Sequence, residues 1–65
     1  MTTIYLFKVI GENSEIYGEK FLTELENASI AEHIAYAHEW FPSEKIRCLG
    51  RVSGFEAEMM GLDTY

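Results

Sequence analysis

Residues 26–42 read ENASIAEHIAYAHEWFP and contain the clearest helix signal in the chain. Asn27 or Ser29 can cap a helix here. Ser29, followed three residues later by Glu32, also fits a capping box, in which the two side chains satisfy free backbone N–H groups at the helix start. Pro42 ends the helix, because the residue before a proline disfavours helical geometry.

The predicted helix spans about 28–41. At 100° per residue its apolar residues fall on one stripe, which consists of Ile30, Ala31, Ile34, Ala37, His38 and Phe41. Glu32 and Glu39 lie on the opposite side. We therefore predict that the stripe packs on a sheet and that Ile30, Ile34 and Phe41 are buried there.

Three segments around the helix have strand character. Residues 3–10 are apolar on both faces and rich in β-branched and aromatic side chains, which suits a central strand. Residues 11–14 form a turn by composition, and a second strand is predicted over about 15–25, so that the two strands make a hairpin. A third strand is predicted over about 45–52.

The stretch 53–61 allows two interpretations. Ser53-Gly54 can turn a hairpin that leads into a fourth strand. Ser53 and Glu56 also match a capping box, followed by good helix formers and then Gly61, and we favour this short helix. The predicted fold is α+β: a small antiparallel sheet of order β-β-α-β along the chain with one helix packed on a face, plus the C-terminal helix or strand.

The chain has 65 residues, which indicates a single domain near the lower size limit for unaided folding. Its one cysteine, Cys48, cannot form an intramolecular disulfide and fits a reducing compartment. The apolar run at the N-terminus has no basic stretch before it, and no window reaches the ~18 apolar residues of a membrane span. We expect a cytoplasmic protein without membrane contact.

Glutamate dominates the charge, since ten Glu and one Asp against five basic residues give −6. This charge disfavours direct binding to nucleic acid and favours attraction to basic surfaces. Eight of the glutamates fall within residues 11–44, where Lys20 is the one basic residue. The third strand carries Lys45, Arg47 and Arg51, with the two arginines predicted on the same side. The molecule is predicted to be dipolar, the alternative being a solvated acidic face with weak internal ion pairs.

Residues able to carry catalysis or bind metal are few. The sequence contains no nucleophile elbow, glycine-rich phosphate loop or HExxH. His33 and His38 lie about 140° apart on a helix, which is unsuitable for sharing a metal ion. Cys48 alternates with Ile46 in a strand, which is typical of packing, and His38 lies in the apolar stripe as a core or boundary residue. We expect no enzymatic activity, cofactor or metal.

The flank of the helix is the candidate binding site. His33, Tyr36 and Trp40 fall within about 60° of one another outside the main stripe, and Tyr and Trp are enriched among interface hot spots. The alternative is that Trp40 closes the core and Tyr36 covers a strand. Together with nearby acidic residues, the predicted partner-binding set is Glu19, Glu24, Glu32, His33, Tyr36, Glu39 and Trp40.

The order of elements over about 4–52, with ENASIAEHIA at 26–35, Pro42 and then IRCLGRV at 46–52, resembles that of small acidic phage host-takeover proteins that inhibit bacterial RNA polymerase. The resemblance is one of element order and carries no contact residues. It implies a phage- or mobile-element-encoded inhibitor of a host protein, a class that includes blockers of polymerases, CRISPR effectors and defence nucleases. Together with the acidic charge, it leads us to expect an inhibitor that occupies a basic, nucleic-acid-handling surface of such a host protein.

Two other classes of function stay open. The first is a structural or self-assembling accessory protein whose strand edge and aromatic residues make a homodimer. The second is a small enzyme or ligand-binding subunit. The oligomeric state in solution separates the inhibitor, a monomer before it meets its partner, from the self-assembling protein.

Overall fold

The structure, a computed structural model, describes all residues from Met1 to Tyr65. Its elements are β1 (Thr2–Val9), β2 (Lys20–Glu26), α1 (Ile30–Trp40), β3 (Ile46–Val52) and α2 (Gly54–Met60). The strands form one antiparallel sheet of order β2-β1-β3. The predicted α+β architecture is confirmed, and residues 54–60 form the short helix. Neither helix is long and apolar enough to cross a membrane.

The central position of β1 follows from its two apolar faces. Phe7 is buried and opposes Phe21 of β2 on one side and Cys48 of β3 on the other. The hairpin between β1 and β2 is confirmed, but β2 begins later than predicted. Residues 15–18 form a turn that ends at Gly18, whose φ of +87° favours glycine.

The boundaries of α1 are set by the residues that the sequence indicates. Ser29 is the N-cap, and its side-chain oxygen accepts a hydrogen bond of 3.2 Å from the backbone N–H of Glu32. Phe41 is the C-cap, directly before Pro42. The capping box and the stop at Pro42 are thus confirmed, with the helix one to two residues shorter at each end than predicted.

The face that α1 turns to the sheet differs from the prediction. Its buried residues are His33 and Ala37, whereas Ile30 and Ile34 remain 49% and 37% exposed. Phe41 is half-buried against the core. The packing face is therefore rotated by roughly 80° around the helix axis, taking 100° per residue. The expectation that Ile30 and Ile34 are buried is wrong, because two threonines of the sheet satisfy the polar atoms of His33 and so allow it into the core.

A bulge interrupts the pairing of β1 with β3. Leu6 pairs with Gly50 but Phe7 pairs with Cys48, so Leu49 is an extra residue in β3. Gly50 has a φ of +134°, a conformation that side chains other than glycine rarely adopt, and it makes the bulge possible.

The bulge separates the two arginines of β3. Arg47 pairs with Lys8 and Arg51 pairs with Tyr5. Since Lys8 and Tyr5 are three residues apart in one strand, they lie on opposite faces of the sheet. Arg51 is on the face that α1 covers, called here the α1 face, and Arg47 is on the second face. The prediction that the arginines share a side is wrong because of the extra residue between them.

The chain after α2 returns to the outer edge of β2. The backbone N–H of Leu22 donates to Asp63 O (2.9 Å), and Tyr65 N–H donates to Leu22 O (2.9 Å). Residues 63–65 thus add a short parallel segment to β2. Met60 and Leu62 line a shallow groove on the second face with Leu6 and Lys20. The outer edge of β3 stays unpaired.

The rotation of α1 predicts a small effect at Ile34. Since this side chain is 37% exposed, Ile34→Ala is expected to lower the free energy of unfolding by about 1 kcal/mol, below the roughly 2–5 kcal/mol of a fully buried isoleucine. Urea denaturation followed by circular dichroism measures the change. A decrease in the free energy of unfolding near ~5 kcal/mol would instead indicate that Ile34 is buried, as the apolar stripe predicts.

Candidate partner-binding surface

The predicted binding residues on α1 lie on the β2 side of the molecule. Trp40 contacts Tyr65, with ring centroids 4.8 Å apart, and Tyr65 is hydrogen-bonded to β2. Glu24 lies in that strand, and its backbone N–H donates to Tyr65 O (3.0 Å). Glu19 immediately precedes the same strand. The flank of α1 and the outer edge of β2 therefore form one side of the protein.

Aromatic rings form the centre of this side. Tyr36 and Trp40 meet edge to face at 6.5 Å, and Tyr65 is the next ring in line. Trp40 is 53% exposed, while Tyr36 and Tyr65 are half-buried. We call Tyr36, Trp40 and Tyr65 the aromatic ridge. Its inner end rests on Phe21 and Phe41, so the ridge is held by the core and presents the indole ring to solvent.

The four glutamates of the predicted binding set have no cationic partner. We call Glu19, Glu24, Glu32 and Glu39, all exposed, the acidic edge. Glu24 pairs with Ile4 and therefore leaves β2 on the second face, whereas Glu32 and Glu39 lie on α1, which covers the other face. No Lys or Arg side chain in the protein lies within 4.0 Å of a carboxylate, and the one ion pair joins the amino group of Met1 to Glu26 (2.9 Å). The negative charge of the acidic edge is therefore uncompensated by short-range ion pairs.

Glu32 has a structural task in addition to its charge. Its Oε1 accepts hydrogen bonds from the backbone N–H and the hydroxyl of Ser29, both at 3.1 Å. Its carboxylate also lies in the first turn of α1, where negative charge stabilises the helix. Replacing Glu32 would therefore disturb the start of α1, whereas Glu39 has no hydrogen-bond partner and reports on charge alone.

His33, which the sequence groups with Tyr36 and Trp40, is fully buried. Its Nε2 lies 2.7 Å from Thr3 Oγ1, and its Nδ1 lies 2.7 Å from Thr23 Oγ1. The ring of Tyr5 covers it at 4.5 Å. In this fold His33 is a core residue and has no surface for a partner. His38, predicted to be a core or boundary residue, is exposed.

The hydrogen bonds around His33 select a neutral ring. Thr3 Oγ1 lies 3.4 Å from the carbonyl oxygens of Leu25 and Ala28, so the Thr3 hydroxyl donates outward and accepts from Nε2–H. The Thr23 hydroxyl then donates to Nδ1. Every polar atom is satisfied with one proton on the ring. Burial lowers the pKa of His33, opposed by the negative charge of Glu32.

This lowered pKa predicts a pH dependence of stability. At a pH above about 6.5, the ordinary pKa of histidine, His33 is neutral in both the folded and the unfolded protein. Its contribution to the free energy of unfolding is then fully present. As pH falls below 6.5 the unfolded state binds a proton that the folded state resists, so the free energy of unfolding falls by up to about 1.4 kcal/mol per pH unit. Urea denaturation between neutral pH and pH 5 measures the slope.

His38→Gln is the matched control, because it removes the exposed histidine of the same helix. The slope is expected to persist in this variant. Disappearance of the slope in this variant would contradict its assignment to His33.

Groups with the chemistry of catalysis or metal binding are dispersed. Cys48 is half-buried on the α1 face and packs against the core, with no hydrogen bond to a histidine. No three residues among His, Cys, Asp and Glu lie together in a way that could hold a metal ion.

Tyr65 is the contact residue that sequence reasoning missed. It follows the helix-ending Gly61 by four residues and belongs to no periodic segment. Its aromatic side chain is the one feature in the sequence that indicates a possible contact residue. That feature does not indicate which strand the residue joins.

Comparison with known proteins gives no relative: no family model, curated protein or solved structure matches the chain.

Proposed function

We propose that this protein is an inhibitor that binds a larger protein through the acidic edge and the aromatic ridge. The observation that carries the proposal is the partly exposed indole of Trp40, fixed on Tyr65 and flanked by unpaired carboxylates. Rigid aromatic anchors supply most of the energy at protein interfaces, and surrounding charges steer association.

The charge of the acidic edge specifies the kind of partner. A surface rich in unpaired glutamates attracts cationic surfaces and repels phosphates. Large basic surfaces are typical of proteins that bind DNA or RNA. We infer that the protein occupies a nucleic-acid-handling surface of a polymerase, CRISPR effector or defence nuclease. The resemblance in element order to phage host-takeover proteins supports a phage- or mobile-element-encoded inhibitor and a cytoplasmic site of action.

Competition with nucleic acid tests this proposal. The tagged protein is used to capture its partner from a bacterial lysate treated with nuclease, and the partner is identified by mass spectrometry. DNA or RNA added to the purified complex is expected to release the inhibitor. A stable ternary complex of inhibitor, partner and nucleic acid would contradict the proposal.

A homodimeric accessory protein is the second candidate, and the free edge of β3 favours it. This edge is unpaired, and Leu49 beside it is 44% exposed. However, the bulge at Leu49 and Gly50 makes this edge irregular, and β3 carries the charged side chains of Arg47 and Arg51, and both features disfavour pairing of an edge strand with another copy. We expect a monomer at tens of micromolar in light scattering. A dimer would favour the second candidate.

A further inference from the structure

Three of the five basic residues form one row across the sheet. Lys8 of β1 pairs with Lys20 of β2 and with Arg47 of β3. Directly paired residues of antiparallel strands point to the same face, with Cβ atoms about 5 Å apart. All three side chains therefore leave the second face side by side. We call them the cation row.

The cation row is unfavourable for the protein alone. No carboxylate lies within 4.0 Å of its ammonium or guanidinium groups, and like charges directly opposed on a sheet destabilise it. Lys20 and Arg47 are exposed and Lys8 is half-buried between them. Glu19, next to Lys20 in sequence, alternates to the other face. The repulsion is thus uncompensated in a protein that has an excess of glutamate.

From this geometry we propose that the cation row binds a phosphate group, free or carried on a small molecule. Near neutral pH a phosphate group carries a charge of about −1.5 to −2, and a phosphate monoester offers three strong acceptor oxygens. The fork of Arg47 and the ammonium groups of Lys8 and Lys20 can converge on it from three neighbouring strands. A bound phosphate would attract all three cations and so offset the repulsion between them.

The remaining charge of the protein restricts the ligand to a compact anion. The whole chain carries −6 and the row +3, so the rest of the molecule carries −9. An extended polyanion would reach past the cation row and be repelled by this excess of negative charge. A single phosphate interacts mainly with the row, because charges more than ~8 Å away are largely screened at physiological ionic strength. The site is on the second face, which it shares with Glu24 of β2, whereas Glu32 and Glu39 of the acidic edge lie on α1 at the opposite face.

Thermal denaturation of the full chain in increasing inorganic phosphate tests the site, with chloride keeping the ionic strength constant. Phosphate is expected to raise the melting temperature of the wild-type protein. Arg47→Gln is expected to weaken the apparent affinity about tenfold. Lys8→Gln, the central position, is expected to abolish the effect and to melt above the wild type in chloride alone.

Arg51→Gln is the matched control, because it removes the same charge from the same strand but on the α1 face. It is expected to keep the wild-type response to phosphate. An equal loss in Arg51→Gln and Arg47→Gln, or no phosphate response in the wild type, would overturn the site. Tighter binding of a single-stranded oligonucleotide than of phosphate would overturn the restriction to a compact ligand.

Discussion

Replacing Phe21 with alanine is expected to unfold a large share of the protein at 25 °C. Phe21 is 3% exposed and is the centre of the aromatic core. Its ring lies 5.4 Å from that of Phe7, 4.5 Å from Phe41 and 5.7 Å from Tyr65. Truncation of such a phenylalanine costs about 3–5 kcal/mol, and a domain of this size has only about that much net stability.

Far-ultraviolet circular dichroism with and without urea measures this effect. Phe55→Ala is the control, because Phe55 is 74% exposed on α2, and it should change the free energy of unfolding by no more than about 0.5 kcal/mol. A urea midpoint for Phe21→Ala close to that of the wild type would show that the core is centred elsewhere.

Local signals in the sequence predicted the elements of the fold. Ser29 with Glu32 and Ser53 with Glu56 form the capping boxes that their spacing indicates. These signals are reliable because a helix start is decided by backbone groups within three or four residues of the cap. The apolar residues on both faces of 3–10 likewise predicted a central strand, with neighbours on both sides.

The orientation of α1 could not be predicted from hydrophobicity. A histidine is ordinarily polar, and His33 enters the core only because Thr3 and Thr23 accept and donate at its two nitrogens. Those threonines are 30 and 10 residues away in sequence. No periodicity within the helix records such distant partners, so Ile34 was the more apolar choice for the buried face.

The arrangement of charged and aromatic residues on the surface also depends on contacts between residues that are distant in sequence. One extra residue, Leu49, separates Arg47 from Arg51, and only the pairing with β1 reveals it. The flank with Tyr36 and Trp40 was predicted from helix geometry alone, but its support by Tyr65 depends on backbone hydrogen bonds between residues 63–65 and β2.

The second large effect is expected at Trp40. Trp40→Ala should accelerate dissociation from the partner about 30-fold, which corresponds to about 2 kcal/mol for a hot-spot tryptophan. Its indole is 53% exposed, so stability should fall less than in Phe21→Ala. Surface plasmon resonance measures the dissociation rate. Met59→Ala, at a 73% exposed position on α2, is the control and should dissociate at the wild-type rate. If Trp40→Ala also dissociates at the wild-type rate, Trp40 is not part of the interface.

We expect the acidic edge to direct binding. Its charge should act on the association rate, because long-range attraction steers the encounter and is screened by salt. Glu19, Glu24 and Glu39 have no ion pair to lose, so reversing all three to lysine should leave the fold intact. Glu32 is kept, since it caps α1.

The most direct test compares this triple variant with a second one that carries the same net charge, in which Glu12, Glu15 and Glu58 are reversed to lysine. These three residues are also exposed but lie outside the acidic edge. At low salt the acidic-edge variant should associate with the captured partner at least about tenfold more slowly than the second variant, and the difference should shrink as salt is added. Equal association rates for the two variants would contradict the account.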